Sequence, residues 1–206
     1  MPRDVSLSTA STRIDECIDS TRDELQETEK NDNGTKIEWI VERGDYIYTV
    51  QHVEDADYFE VTFGYDIRNT VAQIISEEDA ERVLRGADGR NIPDDKMKKM
   101  LKAAEVLLEN ASQNVQNQFA NDLIQLMSHP GLGFEFQGTE GGALAVLQLK
   151  EFIYPYSDEF QFSEFNEAVQ TVVTVGHAAI TYVQVALDVQ AALDAQKPEA
   201  PVNYIQ

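Results

Sequence analysis

The chain has 206 residues, of which 42% are apolar, and it carries a formal net charge of −21 from 37 acidic and 16 basic side chains. This length fits one domain, and the apolar content is too high for a disordered acidic tail. The one cysteine, Cys17, excludes an internal disulfide, and we interpret it as a small buried apolar residue.

The excess of carboxylates indicates the conditions under which the protein folds. At low ionic strength, so acidic a surface repels itself and destabilises the compact state. At about 1 M salt the Debye length falls to about 3 Å, and most of this repulsion is screened. The composition is typical of cytoplasmic proteins from salt-accumulating extreme halophiles, above all archaeal ones. The N-terminal residues contain no apolar run of signal-peptide length, so we expect a cytoplasmic protein.

The first predicted element is a helix over residues 12–29, preceded by a flexible N-terminus over residues 1–11. Its apolar stripe is narrow and follows helical spacing, while acidic residues fill the remaining positions. The stripe consists of Ile14, Cys17, Ile18 and Leu25. The turn-forming residues 31–34, Asn-Asp-Asn-Gly, end this helix.

Three strands are predicted next, over residues 36–42, 46–53 and 58–65. In each segment apolar and polar residues alternate, which is typical of a half-buried strand. The turns between them are short, so the three strands form an antiparallel meander.

Residues 77–111 are predicted to be a helical insertion, followed by a further helical stretch that ends at Pro130. Ser76 and Asp79 resemble a capping box, and Pro93 suits the first turn of a second helix. The helical pattern weakens near Asn110, where a break would divide the second helix.

A basic cluster, Lys96, Lys98, Lys99 and Lys102, begins this second helix. It lacks the interleaved aromatic residues that stack on bases, and molar salt would weaken phosphate contacts, so we do not expect nucleic acid binding. We predict instead that the lysines pair with nearby acidic residues or with an acidic neighbouring surface. The acidic candidates in this chain are Glu77, Glu78, Asp94 and Asp95.

Two strands, over residues 133–137 and 144–154, and one long helix over residues 161–196 complete the predicted elements. Residues 197–206 are predicted to be a flexible tail. The fold class is therefore α+β, with a five-stranded antiparallel sheet flanked by helices in the order α-βββ-α(α)-ββ-α. Residues 12–196 form a single domain in this interpretation.

The functional prediction is based on the last helix. It is apolar on nearly all sides and about 50 Å long, whereas a small domain is about 30 Å across. One domain cannot cover such a helix, so we predict a homodimer or another protein partner. The residues predicted to bind the partner are Val173, Ile180, Leu187, Phe162 and Phe165. The uncharged run 168–187 is too rich in Gln and Thr for a lipid-facing span, so no membrane is expected.

The element order and several apolar segments resemble type III secretion chaperones and a related prokaryotic domain family of unknown function. The similarity covers residues 12–190, except for the insertion 77–111 and the extra length of the last helix. The segments that carry it are Phe-Glu-Val-Thr-Phe at 59–63, Leu-Ile-Gln-Leu-Met at 123–127, Gly-Leu-Gly-Phe-Glu-Phe at 131–136, Phe-Ile-Tyr at 152–154, and Phe-Ser-Glu-Phe at 162–165 with Ala168. The resemblance implies a homodimer that binds other polypeptides, with no catalytic residues.

No pattern in the chain identifies an enzyme. The three histidines and Cys17 do not stand at metal-ligand spacing, and no phosphate-binding loop or nucleophile elbow is present. We therefore expect no catalytic residue, cofactor or metal, and predict a non-enzymatic, chaperone-like module. Two alternatives remain open: a carboxylate-based enzyme that uses a divalent cation, and a structural subunit of a larger assembly.

Overall fold

The computed structural model describes residues 5–31, 36–88, 92–110, 113–139, 142 and 144–195. Within these residues one antiparallel sheet has the strand order β1-β2-β3-β4-β6-β5, and six helices accompany it. The elements are α1 (Leu7–Ser20), β1 (Glu24–Lys30), β2 (Ile37–Arg43), β3 (Tyr46–His52), β4 (Phe59–Asp66), α2 (Ile67–Ile74), α3 (Glu77–Asp88), α4 (Lys96–Asn110), α5 (Gln113–Met127), β5 (Gly133–Gly138), β6 (Leu144–Ile153) and α6 (Phe162–Ala195).

The prediction of one helix over residues 12–29 and of five strands is wrong. Helix α1 begins at Leu7, because the Ser6 hydroxyl accepts the Thr9 backbone N–H at 3.2 Å, and it ends at Ser20. Residues 24–30 form a sixth strand, which pairs antiparallel with β2. All seven residues of β1 are exposed, so their side chains carry no burial pattern. The strand forms because its backbone pairs with the hydrogen-bonding groups at the edge of β2. A local sequence pattern does not encode this pairing.

The meander of β2, β3 and β4 confirms the three predicted strands and their antiparallel order. Alternate residues are buried on one face, including Trp39, Tyr48 and Phe59. Helix α1 covers this face near β2, since the Trp39 indole N–H donates to Asp15 Oδ1 at 2.7 Å. The opposite face of the sheet exposes part of its surface, including Ile47 and Phe152.

Four helices connect β4 to β5. Helix α2, which the sequence analysis did not predict, begins where Asp66 Oδ1 accepts the Arg68 backbone N–H at 2.9 Å. The predicted cap of α3 is confirmed, because Ser76 Oγ accepts the Asp79 backbone N–H at 3.1 Å. Helix α4 is described as far as Asn110 and α5 from Gln113, and the predicted break near Asn110 falls at residues 111–112, which lie outside the described residues.

Helix α6 lies against the buried face of the sheet and contacts β3, β4, β6 and α5. Its buried residues recur at helical spacing: Phe165, Ala168, Val169, Val172, Val173, Gly176, Ala179 and Val183. Gly176 permits the closest approach, because a Cβ atom there would lie 2.5 Å from two ring atoms of Phe63. The span of α6 confirms the long predicted helix, while residues 196–206 lie outside the described residues.

No helix in the described part of the chain combines the length and the apolar composition that a membrane crossing requires. The uncharged run of α6 instead has one face buried against the sheet and one face exposed.

Candidate functional site

The exposed face of α6 is a long stretch of surface that carries no carboxylate, ammonium or guanidinium group. Between Glu167 and Asp188 the helix contains no Asp, Glu, Lys or Arg. Seven residues of this stretch are exposed: Gln170, Thr174, His177, Ala178, Thr181, Gln184 and Val185. In a chain of net charge −21, an exposed helical face of five turns without a carboxylate is the feature that most needs an explanation.

Four of these exposed residues and the partly buried Thr171 have the spacing of a helix–helix contact. Thr171, Thr174, Ala178, Thr181 and Val185 follow one another at intervals of three, four, three and four residues. This is the seam spacing of a two-stranded coiled coil. We call these five residues the α6 seam.

The chemistry of the α6 seam suits contact with another protein surface. The Thr181 hydroxyl donates to the His177 backbone carbonyl at 3.0 Å, so it needs no water partner. Val185 is 56% exposed, and the other members are small residues that permit a close approach of two helices. The seam is therefore an uncharged strip of mostly small side chains, four of them exposed.

The five predicted partner-binding residues occupy different environments. Phe165 is fully buried and Val173 is 9% exposed, so both already pack within the chain. Ile180 is partly buried beside the α6 seam, and Phe162 is 43% exposed at the first turn of α6. The Leu187 side chain lies outside the described residues. Partner binding by these five residues stays a prediction.

The residues that α6 presents outward were not predicted from the sequence. The predicted partner-binding residues are large and apolar, but most residues of this kind on α6 face the sheet or flank the covered stripe. The signal that could have located the outward face was the absence of charge from residues 168–187 in so acidic a chain.

The basic cluster at the start of α4 forms ion pairs with α3, as predicted for Glu77. Lys99 Nζ lies 3.2 Å from Glu77 Oε1 and 3.0 Å from Glu81 Oε1, and Lys96 Nζ lies 3.6 Å from Glu77 Oε2. Lys99 is buried, because Ala80, Leu84 and Ala103 form a small apolar core between the two helices. These ion pairs join α3 to α4 and leave Lys98 and Lys102 on another side of the helix.

A second feature is an acidic cleft between the end of β6 and the first turns of α6. Its volume is ≈ 260 Å³, and its lining includes His129, Glu151, Glu164 and Glu167. Glu151 Oε2 is buried there without a hydrogen-bond partner. Gly131, at φ +88°, provides the room, since a Cβ atom would lie 3.0 Å from Glu151 Oε1.

Burial raises the pKa of Glu151; nearby His129 opposes this shift, and Glu167 adds to it. A raised pKa in the folded state means that the protonated form is favoured there. Its stability contribution is present below the unfolded pKa and is lost as the pH rises through the folded pKa. The ionised carboxylate of Glu151 therefore lowers the free energy of unfolding at neutral pH.

Replacing Glu151 with Gln is expected to raise the free energy of unfolding at pH 7 by about 1 kcal/mol, because the buried oxygen no longer carries charge. The gain should disappear toward pH 4, where wild-type Glu151 is protonated. Urea titrations of both proteins across this pH range would measure the difference. A constant difference at every pH would show that the titration of Glu151 does not contribute.

Among the described residues, no three His, Cys, Asp or Glu side chains are arranged to hold a metal ion. Of the histidines, His52 is buried against Phe59, and His177 is exposed with its ring 5.2 Å from that of Tyr46. His177 is thus not a core residue.

Comparison with protein-family models finds no match for this chain, and comparison with curated proteins finds none either. Among solved structures, the chain is similar to an uncharacterized protein from Methanothermobacter thermautotrophicus. The TM-score is 0.54 at 10% sequence identity, over 85% of this chain and 96% of that one. At this identity the similarity shows a common fold.

Proposed function

We propose that the chain is a non-enzymatic protein-interaction module of a halophilic cytoplasm, and that it acts as a homodimer held by the α6 seam. The observation that carries this proposal is the exposed, charge-free face of α6 on a chain of net charge −21. Chaperone-like binding of other polypeptides is the role we favour for such a dimer, in keeping with the family resemblance of the sequence.

Charge favours a second copy as the occupant of the α6 seam. Two molecules of net charge −21 repel each other wherever their carboxylates meet. Contact along a surface without carboxylates avoids most of this repulsion. A basic partner would be attracted to the acidic surfaces instead, and would gain nothing from an uncharged face.

The spacing of the α6 seam also permits a symmetric contact. In an antiparallel pair of α6 helices, Ala178 of one copy would lie opposite Thr181 of the other, and Thr174 opposite Val185. Each contact then occurs twice about a two-fold axis, as in most homodimers. Molar salt strengthens such a contact, because it screens the acidic surroundings.

Replacing Ala178 with Glu is expected to weaken the dimer by about a hundredfold, because it places two unpaired carboxylates at the centre of the contact. Sedimentation velocity in about 2 M KCl, where screening is strongest, would give the dissociation constants of both proteins. Ala178 is exposed in the single chain, so the variant should keep its fold.

The matched control is Ala87→Glu, the same substitution at an exposed position of α3. It adds the same charge without touching α6, and we expect it to leave dimerisation unchanged. A wild-type protein that stays monomeric at high protein concentration would refute the homodimer, and equal effects of the two substitutions would refute the role of the α6 seam.

A carboxylate-based enzyme is the second candidate, and the partnerless, buried Glu151 Oε2 in the acidic cleft is the observation that favours it. Thermal unfolding with added Mn²⁺ separates the two candidates, because a bound cation stabilises the folded state. An increase in Tm that Glu151→Gln abolishes would support the enzyme. A Tm that Mn²⁺ changes in neither protein would support the interaction module.

A further inference from the structure

The sheet ends at two edge strands whose side chains differ in charge. Strand β1 forms one edge, and four of its seven residues are charged: Glu24, Glu27, Glu29 and Lys30. Charged side chains are a common protection of an edge strand against pairing with another chain. Strand β5 forms the other edge, and Glu135 is its one charged residue. We call the outer side of Gly133–Gly138 the β5 edge, and it lacks the protection that β1 has.

The β5 edge is also accessible and carries aromatic side chains. Phe134 is 39% exposed, and the centroid of its ring lies 5.6 Å from that of Phe136. Glu135 points to the opposite face of the sheet, where its Oε2 lies 3.3 Å from Lys150 Nζ. Among the described residues, no backbone group outside β6 forms a hydrogen bond with residues 133–138. The outward N–H and C=O groups of β5 are therefore open to another strand.

Charge favours a second copy of this chain as the occupant of the β5 edge. Residues 130–149 contain two acidic residues and no basic one, in a chain of net charge −21. Two copies repel each other where their carboxylates meet, so this repulsion is smallest along such a stretch. A basic partner would instead be attracted to the acidic surfaces elsewhere on the chain.

One register of two antiparallel β5 strands avoids opposed carboxylates. About a two-fold axis perpendicular to the sheet, Phe136 lies opposite Phe136 of the second copy, and Glu135 lies opposite Gln137. The adjacent two-fold register would place Glu135 opposite its own copy, which is repulsive. Phe134 pairs with the buried Leu149, so the phenylalanines lie on the face that carries the helices. In the favoured register, those of both copies form one aromatic cluster there.

We propose that the β5 edge pairs with the β5 edge of a second copy, which extends the antiparallel sheet across the two-fold axis. The strand is only about 20 Å long. The contact is therefore small, and we expect it to form at higher protein concentration than the contact along α6. The inference does not depend on the α6 seam, because the two contacts use separate elements. With both contacts formed, the chain assembles beyond a dimer.

Amide hydrogen exchange of residues 133–138, measured in about 1 M KCl over about a hundredfold range of protein concentration, tests the proposal. The outward amides should become protected as the concentration rises, because pairing engages them in hydrogen bonds. Gln137→Glu should weaken the association about tenfold, because it places a carboxylate opposite Glu135 twice. Gln137→Lys should strengthen it severalfold, since the opposed charges then attract. Gln137 is exposed, so both variants should keep their fold.

Thr28→Glu is the matched control, since it adds the same charge at an exposed position of the β1 edge. We expect it to change the protection of β5 by less than about twofold. Exchange that is independent of concentration, or equal losses in Gln137→Glu and either other variant, would overturn the proposal. Amides that are protected even at the lowest concentration would show that the same chain covers the edge, and would overturn it too.

Ala178→Glu separates this contact from the dimer along α6. In that variant the protection of β5 should still rise with concentration, because the substitution lies outside the β5 edge. Loss of this dependence would overturn a separate contact at β5. If Ala178→Glu leaves all association unchanged while β5 becomes protected, the α6 seam is refuted and the β5 contact is supported.

Discussion

Lowering the KCl concentration below about 0.5 M is expected to unfold the chain, because the Debye length then grows well beyond 3 Å and the carboxylates repel each other. The reason is the net charge of −21, with the acidic side chains largely on the surface. Thermal unfolding followed by circular dichroism from about 0.2 to 3 M KCl would measure the dependence. A Tm that does not change with salt would contradict the halophilic interpretation.

The pairing of β1 with β2 is the part of the fold that we expect low salt to disrupt first. In the pairing of β1 with β2, Glu24 lies opposite Glu42 and Glu29 lies opposite Glu38. Like charges directly opposite each other destabilise a sheet, and salt screens their repulsion. Strand β1 is an exposed edge, so we expect its amides to lose protection from hydrogen exchange before those of β4.

Glu29→Lys tests this local origin, because it replaces a repulsive pair with an attractive one across from Glu38. The variant should unfold at a lower KCl concentration than wild type. Glu54→Lys, in the exposed turn between β3 and β4, changes the net charge equally and serves as the control. Equal shifts in both variants would indicate that total charge, rather than the β1–β2 pairing, sets the salt requirement.

Replacing Gly176 with Ala is expected to lower the free energy of unfolding by about 1–2 kcal/mol, and Gly176→Val by about 3 kcal/mol or more. A Cβ atom there would lie 2.5 Å from Phe63 Cδ1 and Cε1, and Phe63 is buried within the sheet. Helix α6 would have to move away from β4. This cost exceeds the gain of about 1 kcal/mol that Ala brings to a helix. Urea titration at constant high salt would measure it.

Gly86 provides the matched control for this prediction. It lies in α3, and nothing is within 4 Å of a Cβ atom placed there. Gly86→Ala should therefore stabilise the protein by about 0.5–1 kcal/mol. Phe63→Leu should partly restore the stability of Gly176→Ala, because the smaller side chain makes room. Two alanine variants with effects of the same sign would refute the tight contact between α6 and β4.

Much of the fold was predictable because its signals are local. The alternation in β2, β3 and β4, the Ser76 cap of α3 and the span of α6 are each encoded within a few neighbouring residues. Helix α2 was missed because its eight residues form a short segment directly after β4. The Asp66 cap was the available signal.

The candidate sites were less predictable. The sequence analysis expected a helix with apolar residues exposed to a partner, but Phe165 and Val173 pack inside the chain. A cleft between α2 and α4 is lined by Arg68, Lys98 and Lys102, which stand thirty or more positions apart in the sequence, and only packing of α2 against α4 brings them together. The lysine cluster was visible, but its division between α3 and the cleft was not.

The amino-acid sequence by itself determined the acidic surface, the meander, the helix caps and the length of the last helix, since each depends on composition or on neighbouring residues. The tertiary structure decided that residues 24–30 extend the sheet, which face of α6 stays exposed, and that Glu151 is enclosed beside Gly131. These outcomes depend on hydrogen bonds and packing between distant segments, whose free energies outweigh local conformational preference.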